Sequence, residues 1–491
     1  MSRVRATLTR VPLPLALMLG VAAVLSLSWG LATAPLQGPD ESDHIAYVEH
    51  LAQTGKIPSA TTGNASFAAD ENAALYGYGY LKLQQNRLAR PPWTVFAERQ
   101  FNRYEDTLPS SALAAGVGPI SVGKNPPLYY AYEAVGWKLT IGGGFFDRIF
   151  VLRLLSGLCL LAIVAFTWLL AGEMLTRRLP QVVATGVVAL LPMAGFMSGI
   201  VNTDILLAAI WAAFLWLAVR TARVGLTWQR AALLSLLTVL SVLTHGRGLA
   251  LIPALAIALV VAWVRHRQPL RGTIASAAGA AGTMVAGFIV YKVVTSAAGG
   301  GGALYGGEVN LGSRSAFNVR QLLSSIWQFY LPKLDGLAPR LGPPIGYRQI
   351  YVQQYFAGVF GSFEVYFPYW VYDTVQVIVG LSLLALYTLG IVRWRSVLAR
   401  WPGIVIVGAT TGCLILFLHV ASYRALVNGS DNPLIVGRYL LPMTPVVGLA
   451  AAGVIAGLPR RAGVVLGSLL LIGMLALSLG GLGLSLERFY A

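Results

Sequence analysis

Apolar residues fall along this chain in long unbroken runs, neither the short alternations of strands nor the one-sided stripes of soluble helices. The runs cover 11–34, 149–171, 181–199, 203–220, 231–245, 248–264, 272–294, 373–392, 403–421, 439–458 and 463–484. About 20 residues rising 1.5 Å each cross the hydrocarbon core of a bilayer, and an open segment satisfies its own backbone there only as a helix. The pattern predicts an all-α polytopic bundle of about eleven spans, a single membrane domain over residues 1–491. The fifth run is the shortest. Most connections are short, but 35–148 and 295–372 are long and hold many Trp, Tyr and Pro residues, the mark of working loops. Gly299 to Gly302 reads as a linker into the second loop.

Composition agrees, with 56% hydrophobic and 11% charged residues and a mean hydropathy of +0.68. Arginines then orient the bundle. Arg3, Arg5, Arg10, Arg177, Arg178, Arg220, Arg223, Arg230, Arg265, Arg267, Arg271, Arg393, Arg395, Arg400, Arg460 and Arg461 fall in alternate short connections. Such residues are retained on the cytoplasmic side, so the N-terminus is expected inside, and the C-terminus and both long loops outside. Of nineteen acidic residues, only Glu173 then lies at the cytoplasmic side. The basic flanks account for much of the net charge of +17, and no nucleic-acid motif is present, so no nucleic-acid partner is expected. Cys159 and Cys413 both sit inside apolar runs, so no disulfide framework is expected and the pair carries no reading of the redox compartment. The first run, ending Ala32-Thr33-Ala34, also fits a cleavable signal peptide. Its length and the acidic cluster just beyond it favour a retained anchor.

That cluster is Gly38-Pro39-Asp40-Glu41-Ser42-Asp43-His44. It reads as a helix start, with Pro39 at the first helical position, acids in the first turn and Gly55 as the stop. Asp40, Asp43, His44 and Tyr47 share one face of that helix. Ile45, Val48 and Ala52 share a neighbouring face, which predicts a helix lying along the membrane surface. Two readings of the acids stand. They cap a helix and offset its dipole, or one of them takes a proton from an attacking hydroxyl. A divalent metal on Asp40, Asp43 and His44 is a further reading with less behind it, since three residues on one turn do not make a site. No other cofactor is indicated.

Three more stretches join this one: Lys124-Asn125-Pro126-Pro127-Leu128-Tyr129-Tyr130, Asn202-Thr203-Asp204, and Val436-Gly437-Arg438-Tyr439-Leu440-Leu441-Pro442. With the Pro-Asp-Glu-x-x-His opening and the aromatic run Phe356 to Tyr372, the set resembles an uncharacterised bacterial membrane family, itself similar to the GT-C superfamily of polytopic glycosyltransferases. The resemblance implies a GT-C fold in the bacterial inner membrane and a polyprenyl-phosphate-linked sugar as donor. A cell-envelope glycan or lipid would be the acceptor, and the active site would lie on the extracytoplasmic face. It implies a general base from the first outer loop, at Asp40 with Glu41 beside it. Ser42 and Asp43 depart from the small residue and Ala or Pro of the family pattern, and leave the division of roles among the acids open.

The remaining candidates are substrate-binding. An acid at a span's mouth, like Asp204, either caps the helix after Asn202 or faces a polar cavity. Arg438, with Tyr439 beside it, either snorkels or meets a donor phosphate. Arg247, in the tight turn Thr244-His245-Gly246-Arg247-Gly248, and Lys124, aimed by the rigid Pro126-Pro127 pair, carry the same two readings, anchoring or phosphate binding. Asp43 and His44 complete the set. A transporter or lipid-carrier flippase is the competing class, since it too needs many spans and a few intramembrane charges.

Overall fold

Every one of the eleven apolar runs is helical in the computed structural model, which describes residues 11–58, 67–91, 94–114, 120–140, 142–299, 317–430 and 433–491. Arg3, Arg5 and Arg10 and most of the Gly299 to Gly302 run lie outside the described residues. The spans are α1 (Leu13–Ala32), α4 (Phe145–Met174), α5 and α6 (Arg178–Ala189 and Pro192–Ser198), α7 (Thr203–Val224), α8 (Trp228–Thr244), α9 (Leu251–His266) and α10 (Leu270–Ala297). They continue with α12 (Tyr369–Val392), α13 (Trp401–Val427), α14 (Thr444–Gly457) and α15 (Arg460–Tyr490). The outer segments add α2 (Glu41–Thr54), α3 (Leu128–Leu139) and α11 (Val319–Tyr330). Among the described residues the one β feature is an isolated bridge between Phe360 and Val365.

Among the described residues nine helices are long and apolar enough to cross a membrane, a tenth span is the pair α5–α6 bent by 53°, and α8 has 17 residues. Thus the eleven predicted runs are present, two of them in irregular form. The bend has a local cause, because Pro192 opens α6 and cannot donate to the turn before it. Gly199 follows, packed so tightly on Trp29 and Gly30 of α1 that a Cβ there would overlap their backbone.

Helix α7 is the axis of the bundle, with 83% of its apolar window buried against α4, α8, α9 and α13. Helices α10 and α12 are peripheral, at 11% and 6%, and turn apolar faces outward. The chain alternates direction, so the ends divide into two sets. One end gathers Arg177, Arg178, Arg220, Arg223, Arg393 and Arg400, with Glu173 paired to both Arg220 and Arg223 at 2.7 Å. The other gathers the C-terminal ends of α1, α6, α8 and α15, the N-terminal ends of α4, α7, α9 and α14, and both long segments.

Helix α2 departs from expectation in two respects. It begins at Glu41, two residues after Pro39, with Asp40 in the cap position. Its apolar face does not lie on lipid, since Ile45, Val48 and Ala52 are buried in the core that α2 shares with α3. The stop at Gly55 uses a left-handed residue (φ 69°).

Candidate active site at the acidic end of the bundle

Asp40 has φ 58° and ψ 16°, a left-handed conformation that costs most residues energy and that Asp tolerates better than bulkier side chains. Its carboxylate makes no cap hydrogen bond to α2. Its neighbour Glu41 accepts from the Gly38 amide at 3.0 Å, fixing the chain just ahead of the helix. Asp40 instead turns outward, 44% exposed at its side chain, and accepts from Arg438 Nη2 at 2.6 Å.

Glu41 is wholly consumed by structure. Arg153, from the third turn of α4, donates to both of its oxygens at 2.9 and 2.8 Å, and the Val201 amide adds a bond of 3.1 Å. The same guanidinium donates to the carbonyls of Gly30, Thr33 and Ala34, closing the end of α1. Neither Glu41 nor Arg153 has exposure to spare, at 0% and 4%.

Beyond Asp40 the site continues inward through Arg438, Asp204 and Arg247. Arg438 opens the 3-10 turn before α14, donates to the Pro39 carbonyl at 3.3 Å, and lies 3.7 Å from Asp204 Oδ2. Arg247, from the turn between α8 and α9, is ion-paired to Asp204 Oδ1 and stacks 3.8 Å over the Tyr439 ring. Asn202 caps α7 by accepting from the Asp204 amide at 3.0 Å and donates to the Pro39 carbonyl at 3.1 Å. Two buried guanidinium nitrogens, Arg438 Nε and Arg247 Nη1, have no hydrogen-bond partner among the described residues. Buried charged donors of that kind are costly unless something fills them, and an anion's oxygens would.

Electrostatics separate the acids. Burial raises the Asp40 carboxyl, but the charge and hydrogen bond of Arg438 outweigh it, so Asp40 stays below its ordinary range and is ionised at neutral pH. Burial raises Asp43 and wins over the two bonds it accepts from the Ser121 amide and hydroxyl. His44 is pushed down to about 4, chiefly by burial, and is neutral.

The Lys124 to Tyr130 stretch braces this face of α2. His44 Nδ1 lies 2.9 Å from the Tyr130 hydroxyl, which also accepts from Asn125 Nδ2 at 3.1 Å, and Tyr47 stacks on Tyr130 at 3.6 Å. Lys124 itself is exposed and pairs with none of the described residues. So Asp40, Asp204, Arg247, Arg438 and Tyr439 come together, Asp43 and His44 stand beside them in their own bonds, and Lys124 stays apart. Among the described residues no group of three His, Cys, Asp or Glu side chains is arranged to hold a metal ion.

Two contributors escaped the sequence. Arg153 had a signal, an arginine inside an apolar run, where charge is costly. Phe363 had none beyond its aromatic neighbours. The tight loop between Phe360 and Val365 holds it at φ 62°, rare for a bulky residue, with its ring 5.7 Å from the Arg438 guanidinium.

Residues 24–447 match the family described as "Predicted membrane protein (DUF2142)". Among solved structures, the chain is similar to ArnT from Cupriavidus metallidurans in the apo state, at 14% identity and TM-score 0.49, covering 91% of this chain and 60% of that one. The same enzyme bound to undecaprenyl phosphate gives 14% and 0.47, with the same coverage. The Archaeoglobus fulgidus oligosaccharyltransferase in its apo form gives 12% and 0.47, covering 97% of this chain and 56% of that one. The chain thus spans about three fifths of the length of these proteins, and likeness at this level leaves the chemistry to be argued from its own residues. No curated protein matches.

Proposed function

The chain belongs to the DUF2142 family of membrane proteins, and from that premise we propose that it is a GT-C-type glycosyltransferase. In this reading it moves a sugar from a polyprenyl-phosphate carrier to a cell-envelope acceptor. The observation that carries the reading is a carboxylate held out of its helix in a left-handed conformation against Arg438, which shares Asp204 with Arg247, each arginine keeping one buried donor without a hydrogen bond among the described residues. Strain retained at one exposed acid points to use rather than to stability. The set of motifs that resembles the GT-C glycosyltransferases supplies four of the side chains concerned: Asp40, Asp204, Arg438 and Tyr439.

The chemistry follows from who holds whom. With no ligand, Arg438 is bound to Asp40 and keeps it a poor base. A donor phosphate drawn to Arg438 Nε and Arg247 Nη1 competes for that guanidinium and releases the carboxylate, whose proton affinity rises as its partner leaves. Asp40 then accepts the proton of the acceptor hydroxyl as that oxygen bonds to the anomeric carbon. The bond from that carbon to the phosphate oxygen breaks, and the two arginines take up the charge on the departing polyprenyl phosphate. The arginines at the opposite end support a site on the extracytoplasmic face of the bacterial inner membrane, with the N-terminus inside and the C-terminus outside.

A transporter or flippase is the second reading, and the bend between α5 and α6 is the observation that favours it, since broken helices mark many transport sites. Asp40→Asn separates the two. The amide keeps the shape but cannot take a proton, so reconstituted transfer should fall by ~10²–10⁴ while donor affinity stays within a few fold. Wild-type transfer by Asp40→Asn, Asp43→Asn and Glu41→Gln alike would remove the acidic cluster from the mechanism. Movement of intact donor across the membrane without loss of its sugar would favour transport.

A further inference from the structure

A recess lined by none of Asp40, Asp204, Arg247 and Arg438 lies beside the end of α1. The last turn of α1, the first turns of α4 and the last turns of α15 enclose a groove of about 800 Å³. That is within the size range of small-molecule sites. Its walls are mostly hydrocarbon, from Leu31, Ile149, Phe150, Leu479, Leu482 and Leu486, and the hydroxyls of Ser28 and Tyr490 in the lining donate to the Val24 and Leu31 carbonyls. Leu31 and Leu479 at its rim are more than half exposed, so in a membrane the mouth opens on the acyl chains of the same leaflet as the site. Along α15, a Cβ added to Gly483 would meet nothing within 4 Å, so this wall is recessed rather than packed.

The inner end is polar in a specific way. Thr33 is 1% exposed, lines the groove, and its hydroxyl has no hydrogen-bond partner among the described residues. Arg153 is the one cation lining it among the described residues, and all three of its guanidinium nitrogens are committed, to Glu41 and to backbone carbonyls. The groove therefore suits a hydrocarbon chain whose head carries a hydroxyl and no strong negative charge. The unfilled cationic donors stand elsewhere, on Arg247 and Arg438.

We propose that this groove binds a lipid-anchored acceptor, its chain along α4 and α15 and its hydroxyl-bearing head against Thr33. The Arg153–Glu41 bridge is the partition between this lipid and the arginines that take the donor phosphate, and Thr33 is seven residues from Asp40 along the chain. The role of acceptor rests on the transferase reading; occupation by a lipid chain does not.

The test uses the full chain in nanodiscs doped with a diacylglycerol carrying a diazirine in one acyl chain, with no sugar donor present. Photolabel should map to residues 146–153 and 479–486, and excess plain diacylglycerol should remove it. Gly483→Trp fills the recess and should cut labelling of these segments about tenfold, with labelling of the outward faces of α10 and α12 unchanged as the measure of intact folding. Gly483→Leu, a change that favours a helix interior, should give an intermediate loss. Labelling spread evenly over all outward faces and indifferent to both variants would overturn the site. Displacement of the label by a polyprenyl phosphate would assign the groove to the donor's tail and overturn the acceptor role. Because no transfer is measured, a failed transferase reading leaves the labelling result standing, and failed labelling leaves the Asp40→Asn result standing.

Discussion

Asp40 and Glu41 are adjacent in sequence and opposite in circumstance. One is strained, outward and bound to a single arginine; the other is buried and holds four donors. Glu41→Gln should therefore act through stability, since removing one partner of a buried ion pair costs ~3–5 kcal/mol by stranding the other charge. We expect a lower unfolding temperature in detergent, partly recovered by Glu41→Leu with Arg153→Met. An unchanged unfolding temperature with lost transfer would instead make Glu41 a reacting group. Arg438→Ala should weaken donor binding roughly ten- to a hundredfold, the equivalent of a charge-assisted phosphate contact of ~1.5–3 kcal/mol. Titration of a polyprenyl-phosphate sugar against the purified variant reads this directly, and unchanged affinity would leave Arg438 an interfacial anchor.

The site's elements are held by close approach rather than by long regular contacts. The turn Gly246–Ala250 carries Arg247 under Tyr439, and a Cβ on Gly248 would overlap the Ser241 carbonyl on the last turn of α8. Gly248→Ala must push this turn away from α8 and carry Arg247 off Asp204. Donor affinity in this variant should fall, because one of the two phosphate-facing cations is displaced. Binding at the wild-type level would show that Arg247 reaches the site by its side chain alone. The spacing of Pro39 suggested that it opens α2; the observed start at Glu41 follows because Glu41 receives the Gly38 amide and leaves Asp40 outside the helix. The apolar stripe of α2 spoke for a buried face but not for its cover, which is α3 rather than lipid.

At the scale of the molecule the acids are segregated, with Glu173 among the arginines of one end and the acidic site, neutralised by Arg153, Arg247 and Arg438, at the other. A reporter active only outside the cytoplasm should work when fused after Gly77 or Ser313, the latter outside the described residues, and stay silent after Arg178 or Arg395. Activity after Arg178 would invert the bundle and put the Asp40 site on the cytoplasmic side. The peripheral placement of α10 and α12, with most of their apolar surface turned outward, is what a lipid-facing rim requires.

The amino-acid sequence by itself determined the membrane class, the positions of the helical runs and the cluster around Asp40, because length, hydropathy and charge are properties of local stretches. It also brought Asp204, Arg247 and Arg438 forward, since a charge at a span's mouth stands out against apolar neighbours. What it could not decide is pairing. Asp40 meets Arg438, 398 residues away, and Glu41 meets Arg153, 112 residues away, and no periodicity reports which helix ends converge. Only the packed bundle separates an acid that is consumed by structure from one left outward and strained. Burial and partner identity set that difference, and both arise when distant segments exclude water together.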